Sequence, residues 1–162
     1  MLQGIDSEEY SPLIERVLEQ MDWVMPAALR LAAEHDRTGG YYCLADKVTG
    51  APLLIAAFGT IPTDEAAKYL RLSQEKPWRL AQNPDHILSW QSRDPKVGKW
   101  GGAVRWQDAL SSFSGFPEGL DEAINLILGI RTDQLVGGAS DAMALISNNQ
   151  FYGRLYTLLP WH

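Results

Sequence analysis

Three groups of residues have types and spacing that could do chemistry. Ser73-Gln74-Glu75-Lys76 fits the S-x-x-K pattern, in which a lysine one helical turn from a serine helps to activate it for acyl transfer. No K-T-G element follows and the chain is short for such an enzyme, so Lys76 beside Glu75 reads instead as a surface charge pair. His35, His86 and His162 are the imidazoles available to a metal or haem, but no H-E-x-x-H, C-x-x-C-H or two-histidine helix face occurs. His35 ends a helical stretch and His162 is terminal, which leaves His86, in the loop nearest the tryptophans, as the imidazole placed to touch a ligand. Trp78, Trp90, Trp100 and Trp106 fall within one short span; their flat faces suit a planar ligand, and core or subunit packing accounts for them as well.

The stretch GGAVRWQDALSSFSGFPEGLDEA, residues 101 to 123, adds a corner at Ser114-Gly115-Phe116-Pro117. Backbone amides at a helix start favour an anion, but Glu118, Asp121 and Glu122 crowd the same end and complement the dipole themselves. The corner therefore reads first as structural. A ligand there is expected to bind through the aromatic surface around Trp106 and the backbone at Gly102 and Gly115. The candidate ligand-binding residues are His86, Trp90, Gly102, Trp106, Ser114 and Gly115. No G-x-S-x-G surrounds Ser112 or Ser114, and neither a catalytic residue nor a metal-ligand set emerges.

These residues need elements to position them. Ser11-Pro12 reads as a helix start, followed by Leu13, Ile14, Val17, Leu18 and Met21 at helical spacing, with Pro26 dividing the segment and Gly39-Gly40 ending its second piece. YYCLAD, a turn at Lys47 to Gly50 and PLLIAAFG then predict a β-hairpin. A helix is expected from Asp64 to about Gln82, capped by Thr63 and kinked or shortened by Pro77, then a loop with a strand at Ile87 to Trp90. GGAVRWQ and ALSSFSG predict a second hairpin. Pro117 opens a helix whose Leu120, Ala123, Ile124, Ile127 and Leu128 form an apolar stripe. A Gly137-Gly138 break, a helical piece capped by Ser140 and the apolar tail Leu155 to Trp161 complete the chain. Two hairpins separated by a helix imply an α+β fold, with helices packed on one antiparallel sheet.

Composition narrows the function classes. A chain of 162 residues, 46% hydrophobic, can bury a core as one domain. A net charge of -6 without a basic cluster opposes nucleic acid. Cys43 is the only cysteine, which excludes an intrachain disulfide and fits a reducing cytoplasm. The start MLQGIDSEEYSP lacks the basic and apolar regions of a signal peptide, and no apolar stretch is long enough to span a bilayer. A cytoplasmic protein with no membrane partner is expected.

The order of elements and several local words resemble the haem-degrading domain family, which includes glycolate-operon G-type proteins, secreted haem-binding sensor proteins and a C-terminal domain of some cobalamin adenosyltransferases. The matching words are Asp46 and Gly50 in the first hairpin turn, and Glu75-Lys76 with Arg79 and Ala81 in the middle helix. Gly101-Gly102, Ser114-Gly115 and Asp121-Glu122-Ala123 continue the match. The resemblance spans about residues 21–130 and leaves 131–162 as a C-terminal extension. It implies a profilin-like fold and a non-catalytic small-ligand-binding or sensor protein, with haem the first tetrapyrrole to try. The alternative is a scaffold or assembly protein with no small-molecule site. The apolar tail is expected to pack on a neighbouring subunit of a homo-oligomer.

Overall fold

The computed structural model describes residues 7–161; the first six residues and the candidate imidazole of His162 lie outside the described residues. Its architecture is α+β, a four-stranded antiparallel sheet of two hairpins with helices on both faces. Strands β1 (Gly39–Asp46) and β2 (Pro52–Gly59) form the first hairpin, β3 (Ala103–Arg105) and β4 (Ala109–Ser114) the second. The order β2-β1-β4-β3 joins them through β1 and β4, where Tyr42 stands opposite Phe113 and Cys43 opposite Ser112. This arrangement is consistent with a profilin-like α+β fold, and further helices follow the second hairpin.

Alternation along β1 sorts the two faces. Tyr42 and Leu44 join a large apolar core with the long helix α1 (Ser7–Ala33) and with α3 (Glu118–Arg131). Cys43 and Ala45 face the other way, into a much smaller cluster with Leu110, Ala103 and Leu80 of α2 (Ala66–Gln82). Leu13, Val17, Met21, Val24, Ala28 and Leu31 form the buried stripe of α1. That stripe explains why Pro26 does not divide the helix, since packing on α3 offsets a cost of about 3 kcal/mol for an interior proline. The helix starts no later than Ser7, so Ser11-Pro12 lies within it, and it ends where Asp36 adopts φ 57° rather than at the glycine pair. Gly39 and Gly40 belong to β1: a Cβ on Gly40 would stand 2.2 Å from the Ser114 carbonyl oxygen.

Other boundaries also shift. Helix α2 begins at Ala66 after a turn instead of at a Thr63 cap, and it runs through Pro77. The strand expected at Ile87 to Trp90 shrinks to one bridge, Leu88 with Val104, because Gln91 Oε1 accepts the Ile87 and Leu88 amides and turns the chain at 2.7 and 2.9 Å. Gly137-Gly138 opens α4 (Gly137–Ile146) instead of breaking the chain, with Ser140 inside that helix.

The tail does not stand away from its own chain. Leu155 of α5 (Tyr152–Thr157) and Leu159 are buried in the α1–α3 core, while Trp161 stacks on Tyr156 with ring centroids 4.3 Å apart. Arg131 holds the Pro160 carbonyl at 2.8 Å. Leu155, Leu159 and Trp161 are thus used within the chain, while Tyr156 and Leu158 stay exposed. Among the described residues no helix is long and apolar enough to cross a membrane.

Candidate functional site

The corner at Ser114-Gly115-Phe116-Pro117 forms one wall of a cleft whose other wall is α2. Arg37, Lys68, Tyr69, Leu72, Lys76 and Trp100 line it with the corner, Glu118 and Asp121. Its volume is about 130 Å³. An apolar cavity of roughly that size, ~150 Å³, holds a single benzene. The cleft is open to solvent, and a space of that size does not enclose a porphyrin.

Buried charges set the electrostatics. Lys76 is only 2% exposed, and its Nζ donates to the Phe113 carbonyl at 2.8 Å and to Asp121 Oδ2 at 3.2 Å. Lys76 is therefore no surface partner of Glu75, which instead accepts from Arg79 Nε at 3.0 Å. Because α2 and α3 lie on opposite faces of the sheet, the Lys76–Asp121 pair ties the two helical layers together across the sheet's end. Asp121 Oδ1 accepts the Phe116 amide at 3.0 Å. Burial pushes its carboxyl up to about 7, against the opposing pull of Lys76, the Phe116 amide and Arg37.

Gly102 serves that pair. At φ 123° it lies in a region that side chains rarely adopt, and a Cβ there would stand 2.8 Å from Lys76 Nζ. Its carbonyl accepts Asn125 Nδ2 at 2.7 Å. Asn125 Oδ1 accepts from Ser111 Oγ at 2.6 Å, and Ser111 Oγ is in turn 2.8 Å from the Tyr42 hydroxyl. The Trp106 indole donates to the Asn125 carbonyl at 2.9 Å. Trp106 is thus buried between sheet and α3 and presents no aromatic surface to the cleft.

The remaining candidates separate. Ser114 and Gly115 line the cleft. Trp90 lines a different depression with Glu122, Asn149 and Phe151, and its ring carries the Arg93 guanidinium at 4.2 Å. His86 stands in the loop after α2, where its carbonyl accepts Arg105 Nε at 2.8 Å, and it is not among the residues lining the cleft. His35 lies against Phe151, 5.3 Å between ring centroids. The four tryptophans do not converge: Trp78 is 55% exposed on α2 and Trp100 alone lines the cleft. Among the described residues no three histidine, cysteine, aspartate or glutamate side chains converge on a metal position.

The three carboxylates at the start of α3 are each engaged. Glu118 takes a bidentate contact from Arg93, at 2.9 and 2.8 Å, and accepts the Gly101 amide. Asp121 pairs with Lys76. Glu122 accepts from Ser147 and Asn149, away from the cleft, and burial raises its carboxyl above the usual range. Two residues that shape the site were not visible as candidates. Arg37 comes from the loop after α1, and Arg79 holds the loop that carries Trp100 by donating to the Ser89 and Trp100 carbonyls and to Ser92 Oγ. In the sequence Arg79 is only a word of the resemblance and Arg37 is not marked at all, since each is defined at the site by carbonyls that the fold brings to it.

A scan against family models finds no match, and searches of curated proteins and of solved structures find no significant match either.

Proposed function

We propose that the protein is a non-catalytic small-ligand-binding or sensor protein, with the cleft between α2 and the β4–α3 corner as its site. The observation that carries this reading is the cleft itself: apolar and aromatic walls of Tyr69, Leu72, Trp100 and Phe116 around a few convergent polar groups, the usual make-up of a small-molecule site. A buried carboxyl with a raised pKa in such a cleft adds support. Both oxygens of Asp121 are engaged by protein donors, which suits binding better than proton transfer. The resemblance to haem-degrading domain proteins enters the proposal for the scaffold alone, because the cleft's size and the position of His86 do not support a tetrapyrrole.

A fragment screen by thermal shift tests the reading. A cleft binder at 100 times its Kd stabilises the fold by about 2.7 kcal/mol. The shift is expected to vanish in Leu72→Trp, which fills the cleft. A screen in which nothing stabilises the wild type, or in which every hit still stabilises Leu72→Trp, overturns the reading in favour of a scaffold that binds protein.

A cytoplasmic, self-associating protein belongs to the same proposal. The single, buried Cys43 supports the first part, and exposed Leu18 and Trp23 on α1 support the second. A monomer by light scattering at all concentrations removes the second part.

A further inference from the structure

The charges around the cleft do not cancel. Glu118 is neutralised by Arg93 and Asp121 by Lys76, both through short contacts. Two cations remain in the lining. Lys68 sits on the exposed rim, and its only carboxylate contact among the described residues, to Glu65, is long at 3.9 Å. Such an exposed pair is weak and solvent-screened. Arg37 is half-buried, and no described carboxylate lies within 4.0 Å of its guanidinium. Its Nη1 donates to the Gly115 carbonyl at 3.1 Å and to the Tyr69 hydroxyl at 3.3 Å, while Nε and Nη2 make no hydrogen bond to another described residue. Each other half-buried or buried arginine of the described chain with a clear role is held by a carboxylate or by several carbonyls: Arg79, Arg93, Arg105 and Arg131. Arg37 is anchored at one nitrogen only and keeps a planar donor pair beside an apolar-walled cleft.

From this arrangement we infer that the cleft takes a small organic monocarboxylate, its carboxylate on Arg37 and Lys68 and its apolar body against Leu72, Trp100 and Phe116. The inference rests on the small-ligand reading of the same cleft. The guanidinium suits a carboxylate because its planar fork matches two oxygens at once. A doubly charged phosphate fits less well. It would stand beside Asp121 and Glu118, and it has no apolar part to cover the aromatic walls. The volume sets the size of the body at about one six-membered ring.

Benzoate, benzamide, benzylamine and inorganic phosphate are the probes, titrated into the full chain at low ionic strength and followed by amide chemical shifts. Benzoate is expected to shift the amides of Leu72, Gly115 and Phe116 saturably and to bind at least tenfold more tightly than benzamide or phosphate, with benzylamine not binding. Arg37→Gln is expected to weaken benzoate at least tenfold and to leave benzamide unchanged. If that variant melts earlier than wild type, Lys68→Gln on the exposed rim carries the test, with a loss of about threefold expected from removing one screened charge. Equal binding of benzamide or phosphate overturns the carboxylate assignment and leaves a ligand cleft in place. So does benzoate affinity unchanged in both variants. If none of the probes and no fragment from the thermal-shift screen shifts those three amides, the small-ligand reading falls with it.

Discussion

The two faces of the sheet are covered in different ways. On one, α1 and α3 meet Tyr42, Leu44, Val104 and Phe113 in a continuous apolar core. On the other, the buried stripe of α2 contains Ser73, Lys76 and Arg79 among Tyr69, Leu72 and Leu80, and the apolar cluster beneath it is small. Burial of hydrocarbon holds most of the first layer, around one polar network of Tyr42, Ser111 and Asn125, and is tolerant of exact partners. The second depends on matched charges and carbonyls, where removing one partner leaves the other stranded. The cleft opens on the second side, where polar groups are already gathered and held.

The comparison is broken most severely at Lys76. Lys76→Met is expected to cost about 3–5 kcal/mol by urea denaturation, because it strands Asp121, whereas Lys76→Met with Asp121→Leu is expected to regain most of that loss. A double variant no more stable than the single would show that the pair is not what holds α2. On the apolar face, Ile124→Ala is expected to cost about 2–5 kcal/mol through a cavity. That loss should be the same at pH 5 and pH 8. A pH-dependent loss would mean that the two layers are not energetically distinct.

The smallest effect is in the pH profile. Asp121 binds its proton more tightly folded than unfolded, so its contribution to stability is complete below about pH 4, declines as the pH rises and is gone above about 7. Glu122, also raised by burial, has the same sign. Lys76 and Arg37 face Asp121 from the other elements, and burial raises the Tyr69 hydroxyl above its ordinary value. Asp121→Asn is expected to flatten the decline of stability between pH 4 and 7. An unchanged slope would place the titration elsewhere.

How much of this was legible depends on the range of the interaction. Both hairpins and α3 were readable, because apolar period and glycine placement are local: Leu120, Ile124, Ile127 and Leu128 announce one buried face before any partner is known. Pro26 and Pro77 misled for the complementary reason, since tertiary packing offset a local penalty. At the cleft, Ser114 and Gly115 were found through the turn they form. Lys76 and Asp121 stand 45 positions apart, and neither neighbourhood marks the other. Trp106 looked like a ligand surface because an indole's type says nothing of which side of the sheet it occupies. Its packing in the core, with the indole on the Asn125 carbonyl, decided that.

The hold of Arg79 on the long connection between α2 and β3 also says something about how the chain opens. Residues 83–102 contain only short turns, yet one buried guanidinium ties Ser89, Ser92 and Trp100 to the side of α2. The same segment is fastened from α3 as well, where Glu118 accepts from Arg93 and from the Gly101 amide. The wall of the cleft formed by Trp100 is therefore clamped between two helices, and opening it requires the release of both the Arg79 and the Glu118 contacts.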